Sequence, residues 1–274
     1  MSNARELLQA VRNRFPLREV VAGHDVWGVR DTRVAYGNLD GALPLVLLHG
    51  PLGSGDMFFR LVDALSPRRR VLAMNLPALP SAALLAYSLA TLLRNLELPR
   101  VDLLGTSLGG YVAQRFAIGH PERVRRLVLS NSYYDAGPIQ RRWPSPADVE
   151  CQSAAQVLAS TRAQVQRRPE HTPELADLKW LLLEQIGHAQ SAQCVKALRL
   201  AMLTATVLPP LPLAPECVAL IDSPDDALVP PLLREQMTLR FAGSRHFSIP
   251  GGGYQPGHLQ PAAYLEAVRA ALED

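Results

Sequence analysis

"VDLLGTSLGGYVAQRFAIGH", residues 101–120, is the stretch that decides the fold. Its first seven residues read as an apolar strand, and Leu108 to His120 read as a helix. Between them lies Gly105-Thr106-Ser107-Leu108-Gly109, a G-x-S-x-G motif at the junction its mechanism requires. A strand that turns directly into a helix crowds the turn, and glycine at 105 and 109 relieves that crowding. The turn lifts the Ser107 hydroxyl above the sheet, and the helix N-terminus favours negative charge developing there. Ser107 is therefore a candidate nucleophile. The alternative is that both glycines serve packing alone and Ser107 is inert.

Working outward, short apolar runs alternate with helical patterns, the mark of an α/β protein with a mostly parallel central sheet flanked by helices. "REVVAG" and "VWGVRD" predict an opening antiparallel pair. "LPLVLLHG" (43–50), "RVLAMNLP" (70–77), "RVRRLVLSNS" (123–132), "CVALIDS" (217–223) and "SRHFSIP" predict further strands. Helices are expected over 55–66, over 81–98 with Leu84, Leu85, Leu89, Leu92, Leu93 and Leu96 on one side, over "PPLLREQMTLRF", and from near His258 to the end. From about Asp135 to Ala214 strand alternation stops. Helical segments at 146–168, 173–188 and 191–205 predict a helical cap, spanning 135–214, inserted into a single domain of residues 1–274.

The chain has 274 residues, 48% of them hydrophobic, enough for one sizeable core. Net charge is +3, and the arginines come in pairs and triplets such as Arg68-Arg69-Arg70 and Arg167-Arg168. No long basic run with interleaved aromatics appears, so nucleic acid is not an expected partner. Cys151, Cys194 and Cys217 lack metal-ligand spacing and read as small hydrophobes in a reducing compartment. The amphipathic opening "MSNARELLQAVRNRF" lacks the apolar core of a signal peptide, and no window suits a membrane span. The expectation is a cytoplasmic protein without metal or cofactor.

In element order the chain resembles the α/β-hydrolase fold over nearly its whole length. Within that fold it is similar to the maspardin-like proteins in "GSGDMFFRLVDAL", "GTSLGGYVAQRFA", "RLVLSNSYYD" and a Gly-Gly-aromatic ending, "IPGGGYQPGHLQP" (249–261), without the usual histidine. The resemblance implies an acid after the strand "CVALIDS". The Asp-x-x-Val-Pro spacing selects Asp226, with Asp225 beside it; Asp226 capping the following helix is the alternative. Asp135, after the preceding strand, is a second candidate. The resemblance also puts the family's histidine position on Tyr254. A phenol titrates near pH 10 and is a hydrogen-bond donor at neutral pH, not a base. His258 lies one helical turn on, about 6 Å by rise per residue, and reads either as a displaced base or as a surface residue at a helix start. His49 precedes the first loop and is structural in this fold. His24, His120, His171, His188 and His246 have no motif context. The oxyanion donors implied are the Leu108 amide and the residue after "HG". Here that residue is Pro51, which has no N–H, unless Leu52 supplies one.

Three readings follow. One is a scaffold with weak or absent serine hydrolase activity that binds a small apolar or acyl ligand under the cap, or a protein partner. Another is an active carboxylesterase or thioesterase using Ser107, Asp226 and His258. The third is a lyase or cyclase in which Tyr254 acts as an acid.

Overall fold

The computed structural model describes residues 3–33 and 43–273. Each apolar run expected to be a strand is one: β1 (Leu17–Ala22), β2 (Asp25–Asp31), β3 (Leu45–Leu48), β4 (Val71–Asn75), β5 (Val101–Thr106), β6 (Val124–Ser130), β7 (Val218–Asp222) and β8 (Arg245–Ser248). They form one sheet ordered β1-β2-β4-β3-β5-β6-β7-β8. The pairs β1–β2 and β2–β4 are antiparallel and the rest are parallel. The order turns back at β3, with β4 on one side of it and β5 on the other. In open α/β sheets the crevice beyond the strand ends at such a reversal is the place for a ligand. Leu48 lies opposite Gly105 and Thr106 opposite Ser130, so β3, β5 and β6 end level and their loops converge beside Ser107.

Both faces of the sheet are covered. The side-chain period of two sends Leu45 and Leu47 to one face and Val46 and Leu48 to the other. The first face packs on α1 (Asn3–Arg14) and α2 (Phe59–Leu65) through Leu8, Phe59 and Val62. The second packs on α3 (Ala82–Asn95) and α4 (Leu108–Gly119) through Leu85, Leu89, Val112 and Phe116. Leu84 departs from the expected stripe on α3 and is half exposed, because the helix turns it away from Leu85 and Leu89.

Between β6 and β7 the chain makes α5 (Gly137–Gln140), α6 (Pro146–Cys151), α7 (Ala154–Gln166), α8 (Pro173–Gln185) and α9 (Ala192–Leu203). The helix expected over 146–168 is two. Gln152 is extended, and Ser145 with Asp148 and Ser153 with Gln156 form two separate capping boxes. Each box satisfies the free N–H groups of a new helix start, which makes the break cheap. After α10 (Pro231–Arg240) and β8 the closing helix is also split, into α11 (Pro256–Leu259) and α12 (Pro261–Leu272). Pro261 disfavours helical geometry at Gln260, whose ψ is 60°. His258 therefore sits inside a short helical turn and not at the start of the long helix.

One charge cluster ties these parts together. Asp56, in the turn after β3, accepts from Arg30 of β2 at 2.6 Å and from Arg12 of α1 at 2.7 Å. Arg12 also pairs with Glu184 of α8 at 2.7 Å. Arg30 and Asp56 are 4% and 6% exposed, so neither charge can fall back on water. Removing one member of a buried pair leaves the other uncompensated. We expect Asp56→Ala to lower unfolding free energy by about 3–5 kcal/mol. Urea denaturation checks this; a loss below about 1 kcal/mol, the range of a surface pair, would show that the cluster is solvated.

Candidate active site

Ser107 follows the last residue of β5 and precedes the first of α4, with φ 51° and ψ −120°. A positive φ is uncommon for a serine, and surrounding contacts hold it here. Its N–H donates to the Ser130 carbonyl at 3.2 Å, and its carbonyl accepts from the Tyr111 N–H at 3.0 Å. The Ser132 hydroxyl also donates to that carbonyl at 2.9 Å. Glycine is required on both sides. A Cβ on Gly105 would stand 2.4 Å from the Gly109 carbonyl oxygen, and one on Gly109 would stand 2.1 Å from that of Leu48.

Tyr254 faces this turn. Burial pushes its phenol far above the usual value; hydrogen bonding to Ser107 and the charge of Arg168 pull it partway back, while the charge of Asp226 adds to the rise. The phenol is a neutral donor throughout the physiological range. Asp226 is buried beside it. One of its oxygens accepts from the Asn131 side chain at 2.9 Å, the other from the Leu228 and Val229 amides at 2.7 and 3.0 Å. Burial raises its pKa, and these hydrogen bonds oppose the rise. The Leu228 and Val229 bonds close the loop ahead of α10, whose N-cap is Pro230 and carries no side-chain cap, so Asp226 does not cap that helix as the alternative expected. Asp225 instead accepts from the Gly251 and Gly253 amides, which pins the glycine run before Tyr254. Asp135 accepts from the Gly137 N–H at 2.8 Å and opens α5.

His258 is not on the surface. It is 7% exposed, with its ring 6.0 Å from that of Phe59. Burial and then the charge of Arg60 lower its pKa to about 4, against a backbone hydrogen bond at Met57. It lines a small cleft with His49, Met57 and Tyr254, whereas Ser107 lines a larger cavity. Gly50, Leu52, Thr106, Tyr254 and Gln255 border both spaces. The surface expectation fails because the 256–259 turn, set off by the break at Gln260, packs against α8 with the His258 ring beside Phe59. His49 accepts from the Leu76 N–H at Nε2, 3.0 Å, and so donates from Nδ1 to the Gly50 carbonyl at 2.6 Å. Burial lowers it to about 4 as well.

The larger cavity takes in about 950 Å³ including its open mouth. Gly50, Pro51 and Leu52 border it from the loop after β3, and Ser107, Asn131, Val229 and Tyr254 from other strand ends. Trp143, Val165, Arg168, Leu182, Arg199 and Met202 supply the side of the helical insertion. The loop after β3 is held by Gln190, whose side-chain oxygen accepts from the Gly53 N–H at 2.8 Å. A Cβ on Gly50 would lie 3.3 Å from the Ser107 Cβ, so Pro51 enters the site close to the serine. Leu108 is fully buried at the first turn of α4. Among the described residues no group of three or more His, Cys, Asp or Glu gathers to hold a metal, and no helix is long and apolar enough to cross a membrane.

A family model of the alpha/beta hydrolase fold matches residues 44–179. The pimeloyl-[acyl-carrier protein] methyl ester esterase of Aeromonas hydrophila is 30% identical over 254 residues, covering 82% of this chain and 93% of that one. This chain belongs to the alpha/beta hydrolase fold family. Human maspardin is 32% identical over 138 residues, 48% of this chain, and the match takes in 44% of maspardin's own length. Among solved structures, a thermophilic esterase from Thermogutta terrifontis superposes with a TM-score of 0.73 at 22% identity, over 93% of this chain and 97% of that one.

Sequence reasoning missed Asn131 and Arg168. Asn131 has φ 43° and joins Asp226 to the Gly253 carbonyl. An Asn directly after a strand is a residue type that tolerates positive φ, and this was its available signal. Arg168 carried none, since an Arg-Arg pair at the end of an amphipathic helix reads as solvated charge.

Two stability measurements check this description. Ser107→Gly should raise unfolding free energy by about 1 kcal/mol, because strain at a sparsely populated φ/ψ costs about 1–3 kcal/mol and glycine in the unfolded chain returns part of it. A clear loss would mean that the turn stores no strain. His49 and His258 stay neutral in the folded protein down to about pH 4, while the unfolded chain protonates near pH 6.5. The unfolded state therefore binds more protons across that window, and stability is full above it and falls as pH drops. Each imidazole contributes up to about 1.4 kcal/mol per pH unit. In His258→Phe the slope between pH 6.5 and 4 should be shallower than in wild type by that one-proton amount; parallel curves would place the ring in water.

Proposed function

We propose that this chain is a ligand-binding member of the family with weak or absent serine hydrolase activity, in which residues 135–214 act as a cap over a small apolar or acyl ligand. The observation that carries the reading is the group beside Ser107: a half-buried, neutral phenol where catalysis needs an imidazole. A general base is most effective with a pKa near the operating pH, and Tyr254 lies far above it. Loss of the base from such a triad costs on the order of 10⁶ in rate. Pro51 offers no amide to a developing oxyanion, a further loss of about 10²–10³ if Leu52 does not replace it. His258 is hydrogen-bonded to the Met57 backbone beside Phe59, and the charge of Arg60 disfavours its protonation, which supports a packing role. Asp226 has its oxygens filled by Asn131, Leu228 and Val229. The same proposal includes residence in the cytoplasm, supported by three cysteines that form no disulfide.

The rival reading, a carboxylesterase or thioesterase using Ser107, Asp226 and His258, draws support from the 82% coverage by a relative named an esterase. Hydrolysis of p-nitrophenyl butyrate and labelling by a fluorophosphonate separate the two. Wild type should label slowly and hydrolyse near background. Tyr254→His should raise hydrolysis about tenfold or more, a barrier change of about 1.4 kcal/mol, with Asp226 orienting the new imidazole and Pro51 limiting the gain. His258→Ala should change nothing. Fast stoichiometric labelling of wild type that disappears in His258→Ala would overturn the binding reading.

A further inference from the structure

The cavity beside Ser107 is apolar along most of its wall, with Ile139, Val195, Met202 and Val229 among its lining, yet two guanidinium groups stand in it. Arg199 comes from α9, and Arg168 lies just beyond the end of α7. They are the only charged side chains among the described residues that line it. Arg199 donates to the Thr161 hydroxyl at 2.6 Å and lies 5.4 Å from the Trp143 ring centre, so it is oriented within the cavity wall. Neither arginine pairs with a carboxylate among the described residues. Arg12, Arg30, Arg69, Arg70 and Arg125 each do. Two guanidinium groups without a carboxylate partner thus face one cavity together.

We infer that the ligand is an amphipathic anion, with an apolar chain of moderate length along the cavity wall and a carboxylate or phosphate headgroup received by Arg168 and Arg199. The inference rests on the ligand-binding reading and goes beyond it by assigning charge to the occupant. A desolvated cation without a counter-ion is unfavourable, and a guanidinium does not relieve this by losing its proton. Burial accordingly lowers the pKa of both arginines. A headgroup anion supplies the missing charge, and the planar fork of each guanidinium matches two oxygens of a carboxylate or phosphate. The aliphatic neighbours Val165, Leu182, Val195 and Met202 exclude water from that contact and would accept the chain.

Isothermal titration of the full chain at neutral pH with decanoate, decyl phosphate, decanol and decylamine, each below its micellar concentration, tests this. Decanoate or decyl phosphate should bind at least tenfold more tightly than decanol, and decylamine most weakly. Whichever anion binds more tightly identifies the headgroup. Arg168→Gln and Arg199→Gln should each weaken anion binding about tenfold and leave decanol unchanged, at an unchanged melting temperature. Equal affinity for decanol and the anions overturns the charge assignment while leaving the apolar-ligand reading intact. The ligand series on wild type decides this even if a variant does not fold. Absence of binding by all four compounds overturns both readings.

Discussion

The close crossing of β3 and β5 over the start of α4 is the constraint on which the site depends. The α carbons of Gly105 and Gly109 admit no side chain, since each Cβ would lie within 2.5 Å of a backbone oxygen. Backbone cannot move aside as a side-chain tip can. The approach therefore fixes the direction in which α4 leaves the sheet, and with it the positive φ at Ser107. The loop after β3 is caught by the same packing, because Gly50 rests against the Ser107 side chain. Asp56, five residues beyond Pro51, anchors the far end of that loop to α1, β2 and α8. The scaffold around the serine is thus rigid on two independent grounds, steric at the turn and electrostatic behind it.

Burial then decides the chemistry of what surrounds that rigid point. Tyr254, His49 and His258 are all displaced toward their neutral forms by the same cause, removal from water. Asp226 feels the same effect, opposed by three hydrogen bonds. The result is an environment with little mobile charge near Ser107. The cations in the cavity, Arg168 and Arg199, belong to a residue type that holds its proton even when desolvated. They are the charged groups of the cavity wall among the described residues.

Much of the fold was legible because its signals are local. Continuous aliphatic runs, the glycine-flanked serine and the loss of alternation after Asp135 each need only a few adjacent residues to be read. Two boundaries went astray for equally local reasons: the paired capping boxes at Ser145 and Ser153, and the proline after Gln260, were visible but outweighed by helical periodicity. At the site, the resemblance to the family singled out Tyr254, and its phenol does face Ser107. The surroundings of Asp226 were not, because Asn131 reaches it from 95 residues away in the chain.

The sequence by itself determined the strand order's raw material and the glycine-flanked turn that holds Ser107 at positive φ. These depend on residue type and spacing, which chain folding does not alter. Tertiary structure alone decided that His258 is buried beside Phe59 and that Arg168 lines the cavity. Both outcomes follow from how distant segments pack. The 256–259 turn packs against α8, and residues of the helical insertion share a cavity lining with the strand ends. A side chain's exposure is a property of those meetings and is not written at its own position in the chain.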